Sequence, residues 1–94
     1  MYRLGEVGKL CDDMPDMSSL TSNTECKQAQ EMLQKSEDYF KTSKFVIAEG
    51  NGVHLPPGCI SDRVAGNFVY WNPEGKTISF DRNVRPICKI IKGE

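Results

Sequence analysis

The chain has four cysteines in 94 residues but no Cys-x-x-Cys pair, and it has a single histidine, His54. The cysteines, Cys11, Cys26, Cys59 and Cys88, are separated by 15, 33 and 29 positions. Structural zinc sites usually present ligands in pairs a few residues apart, and thioredoxin-like redox chemistry needs the close pair, so neither is expected. Nucleophile-elbow, zinc-protease and P-loop patterns are missing too. With one histidine there is one candidate base for a Ser-His or Cys-His couple, and His54 sits in a Gly/Pro-rich stretch that reads as a surface loop. No catalytic residue, cofactor or metal site is assigned, and the chain is expected not to be an enzyme.

Other absences narrow the class. No apolar run approaches the roughly 20 residues of a membrane-spanning helix. The opening Met-Tyr-Arg-Leu-Gly-Glu lacks the apolar core of a signal peptide, so a secreted protein is expected here in its mature form. Asn23, Asn51, Asn67, Asn72 and Asn83 all fail the glycosylation sequon. Net charge is −1, which argues against nucleic acid as a partner. Acidic residues dominate the first quarter and basic residues the last fifth. Either the molecule has two surfaces of opposite sign or its two ends lie together and partly neutralise each other. There is no internal repeat or low-complexity segment.

What is there is an ordinary globular composition, 38% hydrophobic and 27% charged, in a chain long enough for one domain over 1–94. A chain this short buries only about 60–65% of the surface it exposes when unfolded, so covalent cross-links matter. An even cysteine count favours two disulfides, each worth about 3–4.5 kcal/mol in the chain-entropy model. The competing reading is four buried thiols in a reducing compartment. Three pairings exist, and the sequence does not choose among them. Cys26–Cys59 with Cys11–Cys88 is preferred because it would pin a helix to the sheet and tie the chain ends. Cys11–Cys26 with Cys59–Cys88 is the main competitor.

The strongest local signal is a helix. Ser22-Asn23-Thr24-Glu25 matches a capping box, with Ser22 as cap and Glu25 reaching back to the cap N–H. Cys26, Ala29, Leu33, Ser36 and Phe40 then recur at helical steps, which predicts a helix over 23–36, with Phe40 a further turn on. Residues 1–10 suit an extended edge. A polar loop from Asp12 to Ser19 offers Met14, Met17 and Leu20 as a lid. Phe45–Ala48 reads as a buried strand stopped at Gly50-Asn51-Gly52, and Pro56-Pro57-Gly58 as a rigid corner before Cys59. A meander follows: 59–64, a turn at Ala65-Gly66-Asn67, then 68–72, a turn at Pro73-Glu74-Gly75, and 76–80. The last strand is expected over Ile87–Ile91, just after Pro86. The fold class is α+β, one helix packed on an antiparallel, disulfide-stabilised meander.

Two further clusters carry chemistry. Asp12, Asp13 and Asp16 could contribute to a calcium site but lack the EF-hand spacing, and a solvated acidic loop is the simpler reading. Tyr70 and Trp71 form the candidate binding surface. As strand neighbours they point to opposite faces, so either one ring is exposed as a stacking platform or both are covered.

Tyr2-Arg3-Leu4-Gly5 leading to Cys11, Leu20 through Glu25-Cys26 to Ala29, Pro57-Gly58-Cys59, Val69-Tyr70-Trp71-Asn72 and Ile87-Cys88-Lys89 together resemble a small four-cysteine domain of predicted proteins of marine algae and protists, dinoflagellates among them. Asp12 stands where similar domains often have Pro. The resemblance implies a disulfide-bonded module and carries over no catalytic residue. The function expected is a non-catalytic binding or interaction module of a secreted or surface protein, with another protein as partner, in the extracellular space or an organelle lumen. The alternative is an accessory lumenal subunit of a large membrane complex, such as a photosynthetic one, with an apolar patch around Trp71 or Tyr70.

Overall fold

In the computed structural model, which describes residues 2–47, 56–64, 66–73 and 83–91, the helix α1 runs Asn23–Ser36. Its start is fixed locally: Ser22 is extended and its Oγ accepts from Glu25 N–H at 3.1 Å. The reciprocal half of the box differs from expectation. Glu25 Oε1 accepts the N–H of Thr21, one residue before the cap, at 3.1 Å, and Oε2 faces Lys89 Nζ at 3.8 Å. The acidic start and basic end of the chain therefore do meet. Replacing Ser22 by Ala is expected to lower stability by about 1 kcal/mol, read from the denaturant midpoint, because an orphan N–H of the first turn loses its acceptor.

Cys26, Ala29 and Leu33 form the buried stripe of α1. Ser36, expected inward, is exposed, because α1 stops there. Phe40 reaches the core from a separate 3-10 turn, Asp38–Phe40. Gln30, buried on the same helix, donates to Ser43 O at 3.0 Å, and Ser43 Oγ donates to Phe40 O at 2.7 Å. This polar latch satisfies the backbone where the chain turns off the helix.

Among the described residues the sheet has six strands: β1 (Tyr2–Leu4), β2 (Met17–Ser18), β3 (Lys44–Ile47), β4 (Gly58–Asp62), β5 (Phe68–Asn72) and β6 (Val84–Ile90). Their order is β1-β6-β4-β5-β3, with β2 also on β6. β4 and β5 form the expected antiparallel pair, Cys59 opposite Trp71. The sheet is not purely a meander, however. β3 pairs with β5 in parallel, and the chain ends converge on β6, which takes β1, β2 and β4. β3 is also not a buried strand: it is the last strand of the sheet among the described residues, and Val46 and Ile47 are exposed. Among the described residues no strand lies beyond it, and α1 packs near it. The turn expected at 50–52, the strand expected at 76–80 and His54 lie outside the described residues.

β6 begins three residues before its expected start and contains Pro86. The proline is tolerated because its carbonyl still accepts Gly5 N–H at 2.7 Å. Gly5 O, which an amide at position 86 would serve, accepts instead from Arg85 Nε at 2.7 Å. A side chain thus replaces the ladder donor that proline lacks.

Both faces of the sheet are packed. Leu20, Cys26, Ala29, Leu33 and Phe40 meet Cys59, Val69 and Ile87 on one face. On the other, Cys11 and Met14 pack on Cys88, with Met17 beside them. Cys26–Cys59 bonds α1 to β4, and Cys11–Cys88 bonds the 3-10 turn Cys11–Asp13 to β6. The preferred pairing is the one observed. Its competitor would need Cys59 and Cys88 to join through the sheet from opposite faces.

Candidate functional site

Tyr70 and Trp71 do not form one platform. Trp71 lies on the helix side, packed against the main core. Tyr70 alternates to the other side, where its cross-strand partner Ile60 is fully buried and its ring lies 5.7 Å from that of Phe68. Both rings are half-buried.

Burial pushes the Tyr70 phenol above its ordinary value, and the Asp62 carboxylate adds to the shift. Tyr2 is raised as well, first by burial and then by Glu25, whose Oε2 accepts its O–H at 3.5 Å. A phenol whose pKa is raised on folding favours the native state below its unfolded value, near 10, and that contribution is lost as pH rises through the folded value. Stability is therefore expected to fall as pH rises above about 10, the ordinary phenol value. Denaturant midpoints over that rise should fall less in Tyr2→Phe and Tyr70→Phe.

Trp71 lines a groove of about 350 Å³ with Leu10, Asp12, Leu20, Pro57 and Pro73 among its other walls. Two of its walls adjoin the disulfides. Leu10 and Asp12 flank the bridged Cys11, and Pro57 and Gly58 precede the bridged Cys59. Gly58 has φ +96°, which favours glycine, so the expected corner is present. The groove is apolar with a polar rim: Asp12 Oδ1 accepts Ser19 N–H at 3.2 Å. Neither bridge was needed to find Trp71 in the sequence, but the groove itself draws on three distant segments and has no local signature.

The acidic loop resolves into backbone chemistry. Besides the Asp12 bond, Asp13 Oδ2 accepts Leu10 N–H at 3.2 Å, and Asp16 takes a left-handed conformation at φ 65°. No cluster of three metal-ligating side chains occurs among the described residues. All four cysteines are bridged. Ser61 is fully buried, with its hydroxyl 3.5 Å from Tyr39 OH.

A second groove, of about 540 Å³, runs between α1 and β3, lined by Asn23, Thr24, Lys27, Gln28, Glu31, Phe45 and Ile47. Nothing in the sequence singled it out, because Phe45 and Ile47 read as interior. No helix among the described residues is long and apolar enough to cross a membrane. No protein-family model, curated protein or solved structure matches the chain.

Proposed function

We propose that the chain is a non-catalytic binding module of a secreted or surface protein, working in the extracellular space or an organelle lumen, and that the groove beside Trp71 receives a segment of another protein. The observation that carries this reading is the bracing of that groove by both disulfides, through residues adjacent to Cys11 and Cys59. Walls held before the partner arrives reduce the ordering cost of binding. Leu10, Leu20, Pro57, Trp71 and Pro73 suit an apolar side chain, and Asp12 suits a neighbouring cation or donor. That one charge is negative, which opposes a phosphate backbone. The alternative, an accessory lumenal subunit of a large membrane complex, would draw on the same apolar surface around Tyr70 or Trp71, whose rings are half-buried.

Trp71 is the sole tryptophan, so its emission reports the groove directly. A peptide array pairing apolar with basic residues should yield members that shift this emission saturably, and Asp12→Lys should weaken them. An array without such a member, or hits indifferent to Asp12→Lys, would overturn the binding reading. The compartment is tested separately by alkylating the protein in its native cells before extraction: no cysteine should be labelled, and labelling of all four would reject an oxidising location.

A further inference from the structure

One wall of the Trp71 groove, Leu10 with Asp12, belongs to a lid that is tied to the same strand at both ends. At its start β1 pairs with β6, Leu4 opposite Ile87, and Gly5 N–H donates to Pro86 O at 2.7 Å. At its end β2 pairs with β6, Met17 opposite Ile90, and Asp16 O accepts Ile91 N–H at 2.8 Å. Between these anchors the lid reaches β6 through Cys11–Cys88, with Met14 packed beside the bridge. The turn carrying Cys11 is closed within itself: Asp13 N–H donates to Leu10 O at 3.0 Å, and Met14 N–H donates to Cys11 O at 3.1 Å. It can lift as a unit without unpairing a strand. The other bridge differs. Cys26 lies in α1, its N–H on Ser22 O at 3.0 Å, and Cys59 lies in β4, between β5 and β6. All four cysteines are buried, so a reductant reaches a sulfur only through a local opening. Opening at Cys26–Cys59 disturbs the main core, whereas opening at Cys11–Cys88 disturbs the smaller cluster of Cys11, Met14 and Cys88.

We propose that Cys11–Cys88 is a redox switch on the groove, reduced by a dithiol ahead of Cys26–Cys59, and that its reduction releases the bound partner; the release rests on the groove being a binding site. A thiolate of the reductant attacks Cys11 Sγ, the bond to Cys88 Sγ breaks, and Cys88 leaves as a thiolate that takes up a proton. The second thiol of the reductant then displaces Cys11, which is protonated in turn. Two electrons and two protons pass to the domain, and the reductant closes its own disulfide. The freed lid takes Leu10 and Asp12 away from the groove, while Leu20 and Trp71 stay with the main core. The partner loses an apolar wall and the carboxylate that faces its cation. Reoxidation restores both.

Graded dithiothreitol followed by alkylation and peptide mapping tests the order of reduction. Cys11 and Cys88 should be labelled while Cys26 and Cys59 remain bridged. In that half-reduced form amide exchange should quicken between Gly5 and Asp16, while α1 keeps its protection. Array peptides that shift Trp71 emission in the oxidised protein should bind the half-reduced form roughly tenfold more weakly, and the variant Cys11→Ala/Cys88→Ala likewise. Reoxidation should restore binding to the former and not to the variant. Labelling of all four cysteines together, or lid amides that stay protected once their bridge is open, would overturn the proposal. So would peptides that bind both forms equally, an outcome that leaves the binding reading intact. Peptides that bind neither form would overturn the binding reading itself, and the release step with it.

Discussion

Removing both disulfides is expected to abolish the cooperative unfolding transition of this domain. Cys11–Cys88 spans 77 residues and Cys26–Cys59 spans 33. In the chain-entropy model these loops correspond to about 4.5 and 3.8 kcal/mol of native-state advantage. The smaller loop lies within the larger, so the two do not add fully. Even so, the combined loss rivals the roughly 5–14 kcal/mol expected for a domain of this size. The bridges are also topologically distinct. Cys26–Cys59 clamps the helix to one face of the sheet, and Cys11–Cys88 clamps the turn carrying Met14 to the other. The double variant Cys26→Ala/Cys59→Ala should lower the melting temperature by about 15–30 °C. The four-alanine variant should show no sharp calorimetric peak and no near-ultraviolet signal. A reduced, alkylated protein melting within a few degrees of the oxidised one would refute this account.

Phe40→Ala is expected to be the most damaging single core substitution. The ring is fully buried in the main cluster and meets Tyr39 edge-on, with centroids 4.9 Å apart and planes at 63°. It sits where the chain leaves α1, and its carbonyl accepts from both Ser43 N–H and Ser43 Oγ, at 3.0 and 2.7 Å. Those bonds give the surrounding backbone little freedom to collapse into the vacated space. Deleting a buried phenylalanine ring in such a site costs about 3–5 kcal/mol, and guanidinium denaturation should show it. Phe40→Leu, which keeps most of the volume, should cost markedly less. A loss under about 1 kcal/mol for the alanine variant would mean that the ring is not the keystone its burial implies.

How much of this was legible beforehand depended on how far apart the deciding residues lie. α1 and its bounds could be read because Ser22, Glu25 and the apolar stripe act within one or two turns. β5 could be read because alternation over five residues and the turn chemistry after it are local as well. The start of β6 could not. Pro86 looks like a boundary until Arg85 is seen bonded to Gly5 O, 80 positions away. Gly5 itself looks like a weakness in a strand, yet a Cβ there would lie 2.8 Å from Met14 Cε and from Pro86 Cγ. Its smallness is required by what packs on it.

The candidate site divides in the same way. That Tyr70 and Trp71 point to opposite faces follows from the period of a strand. Which of them borders a groove follows from the prolines and loops brought to Trp71 by the rest of the fold.

By itself, then, the sequence determined the α+β class, the helix over 23–36, the strand at 68–72 and the even cysteine count that calls for two bridges. Each of these rests on short-range backbone chemistry or on composition. The tertiary structure alone decided the disulfide pairing and the parallel placement of β3 beside β5. Alternation tells which residues of one strand share a face, but not which strands lie side by side. The strand order puts Cys59 on the helix side and Cys88 on the lid side, and that separation leaves each a single partner within reach.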